Sequence, residues 1–119
     1  EDPARVINIT SIDGLRAPVL EIYAYSSSKF GLIGLTRHMA KHLAKDNITV
    51  NAVSPGPFQS KMMAQTLKDH GEEILATIPR NRIGEPEDMA GACIFLASRA
   101  GAWLTGINIP VDGGIVSCS

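Results

Sequence analysis

The chain is poor in aromatic residues, which make up 5% of its 119 positions, and it has only two cysteines and one tryptophan. Cys93 and Cys118 have no paired spacing, which argues against a disulfide framework and makes the reducing cytoplasm the expected location. No apolar run approaches the roughly 20 residues needed to cross a bilayer. Neither sign of charge dominates: the formal net charge is −1, which argues against an electrostatic footprint for nucleic acid or polyphosphate. A G-x-G-x-x-G turn of the dinucleotide-binding type is also absent. What remains, 45% hydrophobic and 19% charged, is the ordinary balance of a folded α/β protein.

Three short runs, Val6 to Thr10, Ile48 to Val53 and Ile107 to Val111, are rich in β-branched residues and read as apolar on both faces, as strands of a buried parallel sheet do. Between the first two, a helix is expected from about Ala24 to Lys45, with Phe30, Ile33, Leu35, Met39 and Leu43 giving broad apolar coverage. Strand, crossover helix and strand form a right-handed βαβ unit, which brings the carboxyl end of the first strand beside the helix start. Ile12 to Ile22 is then a loop at the carboxyl edge of the sheet, where α/β proteins bind ligands, and its Asp13 is expected to border a substrate.

That geometry places Ser11 near the helix that carries Tyr25 and Lys29. Residues four apart share a helix face, so the Lys29 ammonium can lie against the Tyr25 phenol and favour the phenolate. A phenol tuned in this way exchanges a proton with a carbonyl or alcohol oxygen that a hydroxyl such as Ser11 holds. Tyr23 is a second phenol close by, but it has no lysine four residues later. His38 and His42 have a zinc-compatible spacing, yet Met39 stands where a zinc helix would carry glutamate, and Arg37, Lys41 and Lys45 surround the pair with positive charge. No metal is assigned.

Further along come Asn51-Ala52-Val53-Ser54-Pro55-Gly56-Pro57, Arg82-Ile83-Gly84-Glu85-Pro86-Glu87-Asp88, Phe95-Leu96-Ala97-Ser98, Thr105-Gly106 and Val111-Asp112-Gly113-Gly114. With Ser11, Tyr25 and Lys29, and in this order, they resemble the short-chain dehydrogenases/reductases from about Arg5 to Gly114. The resemblance implies a Rossmann-like doubly wound parallel sheet and a nicotinamide cofactor, NADP or NAD with NADP slightly favoured. Tyr25 is then the acid/base, Lys29 its electrostatic partner and ribose anchor, and Ser11 the carbonyl-positioning hydroxyl. The Pro55-Gly56-Pro57-Phe58 loop and Ser60, where the family usually has threonine, would meet the nicotinamide. Lys61 to His70 and Glu72 to Thr77 look like a mobile helical pair forming the substrate lid, with Met62 and Met63 as an adaptable apolar wall.

The family's glycine-rich loop, ribose selector and catalytic asparagine would precede Glu1, and Asn8 does not replace that asparagine. The expectation is therefore the carboxy-terminal, catalytic and substrate-binding half of a single domain, inactive by itself. In the intact protein a dimer or tetramer is expected. Pro86 should open a helix whose small-residue face, Ala90, Cys93, Ile94, Leu96 and Ala97, packs on the sheet or on another subunit. Within the family the loops look like reductases related to 3-oxoacyl carrier-protein reductase and the rhamnolipid-pathway reductase. The reading is an oxidoreductase acting on a ketone or secondary alcohol, with a non-catalytic structural or oligomerisation module as the alternative. An extended epimerase or dehydratase fits less well, because the Thr-Gly and Val-Asp-Gly-Gly segments and the short substrate region argue against it.

Overall fold

The computed structural model describes residues 1–119. Three parallel strands, β1 (Ala4–Ile9), β2 (Ile48–Pro55) and β3 (Asn108–Val111), form one sheet with β2 in the centre. Val6 pairs with Val50 and Ala52 with Asn108, so the carboxyl ends of all three strands lie at one edge. Helix α1 (Tyr23–Leu43) crosses from β1 to β2, and Asn47, in the left-handed conformation at φ 59°, turns the chain into β2. Helices α2 (Ala64–Ala76) and α3 (Pro86–Ala97) make the return from β2 to β3. The strands and α1 lie within two residues of their expected bounds, since pairing continues to Pro55 and the end of α1 tightens into a 3-10 turn over Ala44–Asp46.

The core centres on β2, where Val50, Ala52 and Val53 are fully buried with Leu96 of α3 against the sheet. One expectation about faces needs correction, and of the two alternatives for α3, packing on the sheet holds only at Leu96. β2 is not apolar throughout, because Thr49, Asn51 and Ser54 are also buried. They are tolerated because they are bonded: Asn51 Nδ2 donates to Leu104 O at 2.9 Å, its Oδ1 accepts from Ile107 N at 3.1 Å, and Ser54 Oγ reaches Asn108 Oδ1 at 2.6 Å. On α3, Ala90, Ile94 and Ala97 face outward, and only Leu96 of the expected face is buried. After its acidic first turn α3 carries apolar residues, large and small, on every side, so it shows little amphipathic contrast to read.

Arg5 joins β1 to the far end of α3: its Nε donates to Leu96 O at 2.9 Å and an Nη to Ser98 O at 2.8 Å, a cation placed where the helix dipole favours one. The other edge of β1 has no strand beside it. The radius of gyration, 15.2 Å, exceeds the ~13.5 Å of a compact domain of this length, in keeping with an open sheet edge. The expected helical pair after Lys61 is present within Ala64–Ala76 as two helical segments that meet at a kink: His70, at φ −131° and ψ 18°, leaves helical geometry beside Gly71.

Candidate active site

β1 ends at Ile9, and the chain enters a 3-10 turn over Ile12–Gly14 that brings Ser11 and Asp13 to the carboxyl edge. Ser11 is buried, and its Oγ accepts from the Asp13 N–H at 3.0 Å, which leaves its own hydrogen free for another acceptor. Gly14 then passes so close to α1 that a Cβ there would lie 2.8 Å from the Lys29 carbonyl carbon. Ser26 Oγ donates to Asp13 O at 3.0 Å, a second tie between the turn and the helix start. Lys29 Nζ donates to Ile9 O at 3.3 Å and lies 5.5 Å from the centre of the Tyr25 ring. The turn, the strand end and the helix are thus locked together at the three residues that sequence chemistry singles out.

A cleft of about 300 Å³ opens beside them. Ser11, Asp13 and Tyr25 line it from one side; Pro55, Gly56, Phe58, Ser60, Met62 and Met63 line it from the other. Every expected site residue except Lys29, which stands behind Tyr25, therefore reaches one cavity. Of the two phenols only Tyr25 lines the cleft; Tyr23 is 77% exposed on a separate apolar face with Leu20, Ile22 and Phe30. Arg16, Ile12 and Pro57 also line the cleft; they belong to the two loops expected at this edge, but the sequence singles none of them out as a site residue. No periodicity marks a lone arginine in a loop, so only its fold neighbours reveal it.

The loop after β2 is fixed by close backbone approaches on both sides. Gly56 packs its Cα face on Asp112, where a Cβ would come within 2.9 Å of the Asp112 Cα, and its N–H bonds Val111 O at 2.9 Å. Phe58 pairs with Gly84 through Gln59 N–H to Gly84 O at 2.9 Å and Gly84 N–H to Pro57 O at 3.0 Å. In a parallel pairing of this kind the N–H of Phe58 points the other way, and it donates to no group of the chain. Ser60 Oγ accepts from Met63 N at 3.1 Å and so also holds the turn into α2.

Asp112, buried at the end of β3, anchors the opposite side of Gly56: its carboxylate accepts from Gly114 N at 2.9 Å and Val116 N at 2.7 Å. Arg82 and Asp88 form a two-pronged ion pair at 2.8 and 2.9 Å, and Glu85 N–H donates to the same carboxylate at 2.7 Å. The Arg82 guanidinium, and after it the Glu85 N–H, hold the Asp88 carboxyl well below the usual carboxylate range. This is helix-start architecture at the amino end of α3. Asn8, whose Nδ2 donates to Thr36 Oγ1 at 3.0 Å, joins β1 to α1 and lies outside the cleft. Both cysteines are free, and no helix is long and apolar enough to cross a membrane.

Parallel strands whose carboxyl ends meet the Ser11 hydroxyl, the Tyr25 phenol at the start of α1 and a glycine-containing loop around one cleft make the arrangement in which doubly wound α/β proteins bind ligands. A family model described as enoyl-(acyl carrier protein) reductase matches residues 1–116. The chain is 47% identical over 116 residues to the rhamnolipids biosynthesis 3-oxoacyl-[acyl-carrier-protein] reductase of Pseudomonas aeruginosa, which covers 96% of this chain and 45% of that protein. It is 42% identical over 112 residues to a 3-oxoacyl-[acyl-carrier-protein] reductase of Rickettsia bellii, 94% of this chain and 46% of the relative. Among solved structures, the Pseudomonas aeruginosa RhlG/NADP active-site complex superposes with a TM-score of 0.90 at 45% identity, covering 97% of this chain and 46% of that one. The chain belongs to the short-chain dehydrogenase/reductase family, a family of oxidoreductases with the Rossmann fold, and spans a little under half the length of these relatives.

Proposed function

We propose that the protein carrying this chain reduces a ketone, of the 3-oxoacyl type, to a secondary alcohol with a nicotinamide cofactor, NADP in preference to NAD, and that Ser11, Tyr25 and Lys29 are its catalytic residues. The observation that carries the reading is the convergence of the Ser11 hydroxyl and the Tyr25 phenol on one cleft, with the Lys29 ammonium 5.5 Å behind the ring. Two O–H donors around one position suit a carbonyl oxygen that gains charge as it is reduced. The family model's description names reduction of a carbon–carbon double bond, whereas the relatives named above are 3-oxoacyl reductases; the donor pair favours the carbonyl.

When bound, the reduced nicotinamide supplies the hydride that forms the new C–H bond at the carbonyl carbon. Ser11, whose lone pair is engaged by Asp13 N–H, donates its hydrogen to the carbonyl oxygen and orients it. Tyr25 gives that oxygen a proton as the C=O π bond breaks, and Lys29 stabilises the phenolate left behind. At 42% exposure Tyr25 can be reprotonated from solvent, so that one ketone, one hydride and one proton become one secondary alcohol. The free N–H of Phe58, the backbone at Pro55 and Gly56 and the hydroxyl of Ser60 fit a carboxamide, and Lys29 would reach a ribose hydroxyl. Asp13, Met62 and Met63 meet the substrate. The exposed apolar face at Leu20, Tyr23 and Phe30 supports assembly of the intact protein into a dimer or tetramer.

The experiment is a spectrophotometric assay of the full reading frame that includes this chain, with NADPH or NADH and acetoacetyl-CoA as a 3-oxoacyl thioester. Oxidation of NADPH dependent on the thioester, and its loss in Tyr25→Phe with nicotinamide binding retained, is the expected result. Binding of neither cofactor would favour the structural-module alternative.

A further inference from the structure

Asp13 and Arg16 are the charged side chains that line the cleft. Arg16 Nε donates to Asp13 Oδ1 at 3.3 Å, and that is the guanidinium's one bond within the chain. Its two terminal nitrogens, with four N–H donors between them, have no partner. The turn that carries the pair is fixed, because the Asp13 backbone is held on both sides, by its N–H donating to Ser11 Oγ at 3.0 Å and by its carbonyl accepting from Ser26 Oγ at 3.0 Å. The pair is partly shielded, with 38% and 22% of the two side chains accessible, so a bond made there is screened less than one on the open surface.

We propose that Arg16 is a specificity residue, presenting its open guanidinium fork to an anionic oxygen pair on the substrate, so that the preferred ketone carries a carboxylate or phosphate. The reading rests on the reductase function proposed above. The composition of the cleft supports it: Ile12, Phe58, Met62 and Met63 offer apolar contact, Ser11 and Tyr25 bring hydroxyls, and Arg16 is the one cationic side chain in the lining. Planar, two-pronged recognition is what separates arginine from lysine at such a position.

The test uses the full-length protein and a series of oxo acids, each paired with its methyl ester, which keeps the ketone and removes the charge; a phosphate-ended ketone separates the two anion sources. Arg16→Gln should raise KM for the anionic ketones about tenfold or more, the scale of one lost charged hydrogen bond, with kcat and the ester kinetics within about twofold. Arg16→Lys, which keeps charge and loses the fork, should recover part of that loss. Equal losses on acid and ester, or no preference for the acids in the unmodified protein, would overturn the assignment. Calorimetric binding of saturated carboxylic acids and their methyl esters to the unmodified protein and to Arg16→Gln reads the same contact without turnover. If no ketone is reduced the reductase reading fails, and the calorimetry still decides Arg16: a difference confined to the acids upholds its role, and no difference refutes it.

Discussion

The two walls of the cleft are built to different standards. The wall made by β1, the turn at Ser11 and α1 is held by Ser11, Asp13, Ser26, Lys29 and the close passage of Gly14, so its reacting groups have little freedom. The facing wall, from Phe58 through α2, contains no fully buried residue, breaks helical geometry at His70 and offers Met62 at 83% exposure. Proton transfer demands fixed geometry, and the groups assigned to it stand on the fixed wall. Contact with a variable acyl or alkyl body tolerates adjustment, and methionine, with three rotatable bonds, supplies it on the other wall.

The largest effect should come from the fixed wall. Tyr25→Phe in the intact protein removes the proton donor and should lower kcat by at least about 100-fold, with nicotinamide affinity kept, as read by fluorescence titration. Tyr23→Phe, which alters a phenol outside the cleft, should stay within about twofold. Equal losses from the two substitutions would mean that the phenols share one role and that the wall is not arranged around Tyr25.

Stability separates the same two regions. Gly14→Ala would force a Cβ to within 2.8 Å of the Lys29 carbonyl carbon, backbone that cannot yield without moving α1, and should cost about 1–3 kcal/mol in a denaturant titration. Gly31→Ala, on the open side of the same helix with nothing within 4 Å, should instead stabilise by up to about 1 kcal/mol. A neutral Gly14→Ala would show that the fixed wall is looser than its contacts indicate. On the adaptable wall, Met62→Ala combined with Met63→Ala should raise KM for long-chain ketones several-fold, leave short ketones unchanged, and keep kcat within about twofold. A kcat loss of the Tyr25 size would place catalytic geometry on that wall too.

The order of residues discloses some of this contrast and hides the rest for physical reasons. Strand and helix positions are readable because β-branched runs and a 3.6-residue period are local signals, and the site follows because its members stand just past the ends of β1 and β2 or in the first turns of α1. The polar residues of β2 are easily taken for part of an apolar strand, since Asn51 is acceptable there only through Leu104 and Ile107, more than 50 residues away. The outward turn of Ala90, Ile94 and Ala97 is hidden for a different reason: with apolar residues on every side, Met89, Ile94, Phe95 and Leu96 among them, α3 carries little contrast to say which face meets the sheet. Arg16 has no local pattern at all, and its place in the cleft exists only after the turn at Ile12–Gly14 has folded back on α1.

The smallest expected effect lies outside both walls, at the start of α3, and it tests whether the cleft is insulated from the scaffold that carries it. Asp88 is held below its ordinary carboxyl range by Arg82 and by Glu85 N–H. A carboxyl whose folded value is depressed contributes stability in full above its unfolded value, about 4, and loses it as pH falls through the folded one. Unfolding midpoints of the parent should therefore decline below about pH 4 more steeply than those of Asp88→Asn, which has no charge there to lose. At neutral pH Asp88→Asn should be slightly less stable, because Arg82 loses its anionic partner while the Glu85 N–H retains an oxygen acceptor. Because Gly84 pairs with Phe58 and stands four residues before Asp88, loosening this helix start has one route to the cleft, through the loop that carries Phe58. An unchanged KM for the nicotinamide in Asp88→Asn would show that the Phe58–Gly84 pairing holds the loop without the ion pair; a raised KM would make the Arg82–Asp88 clasp part of the adaptable wall.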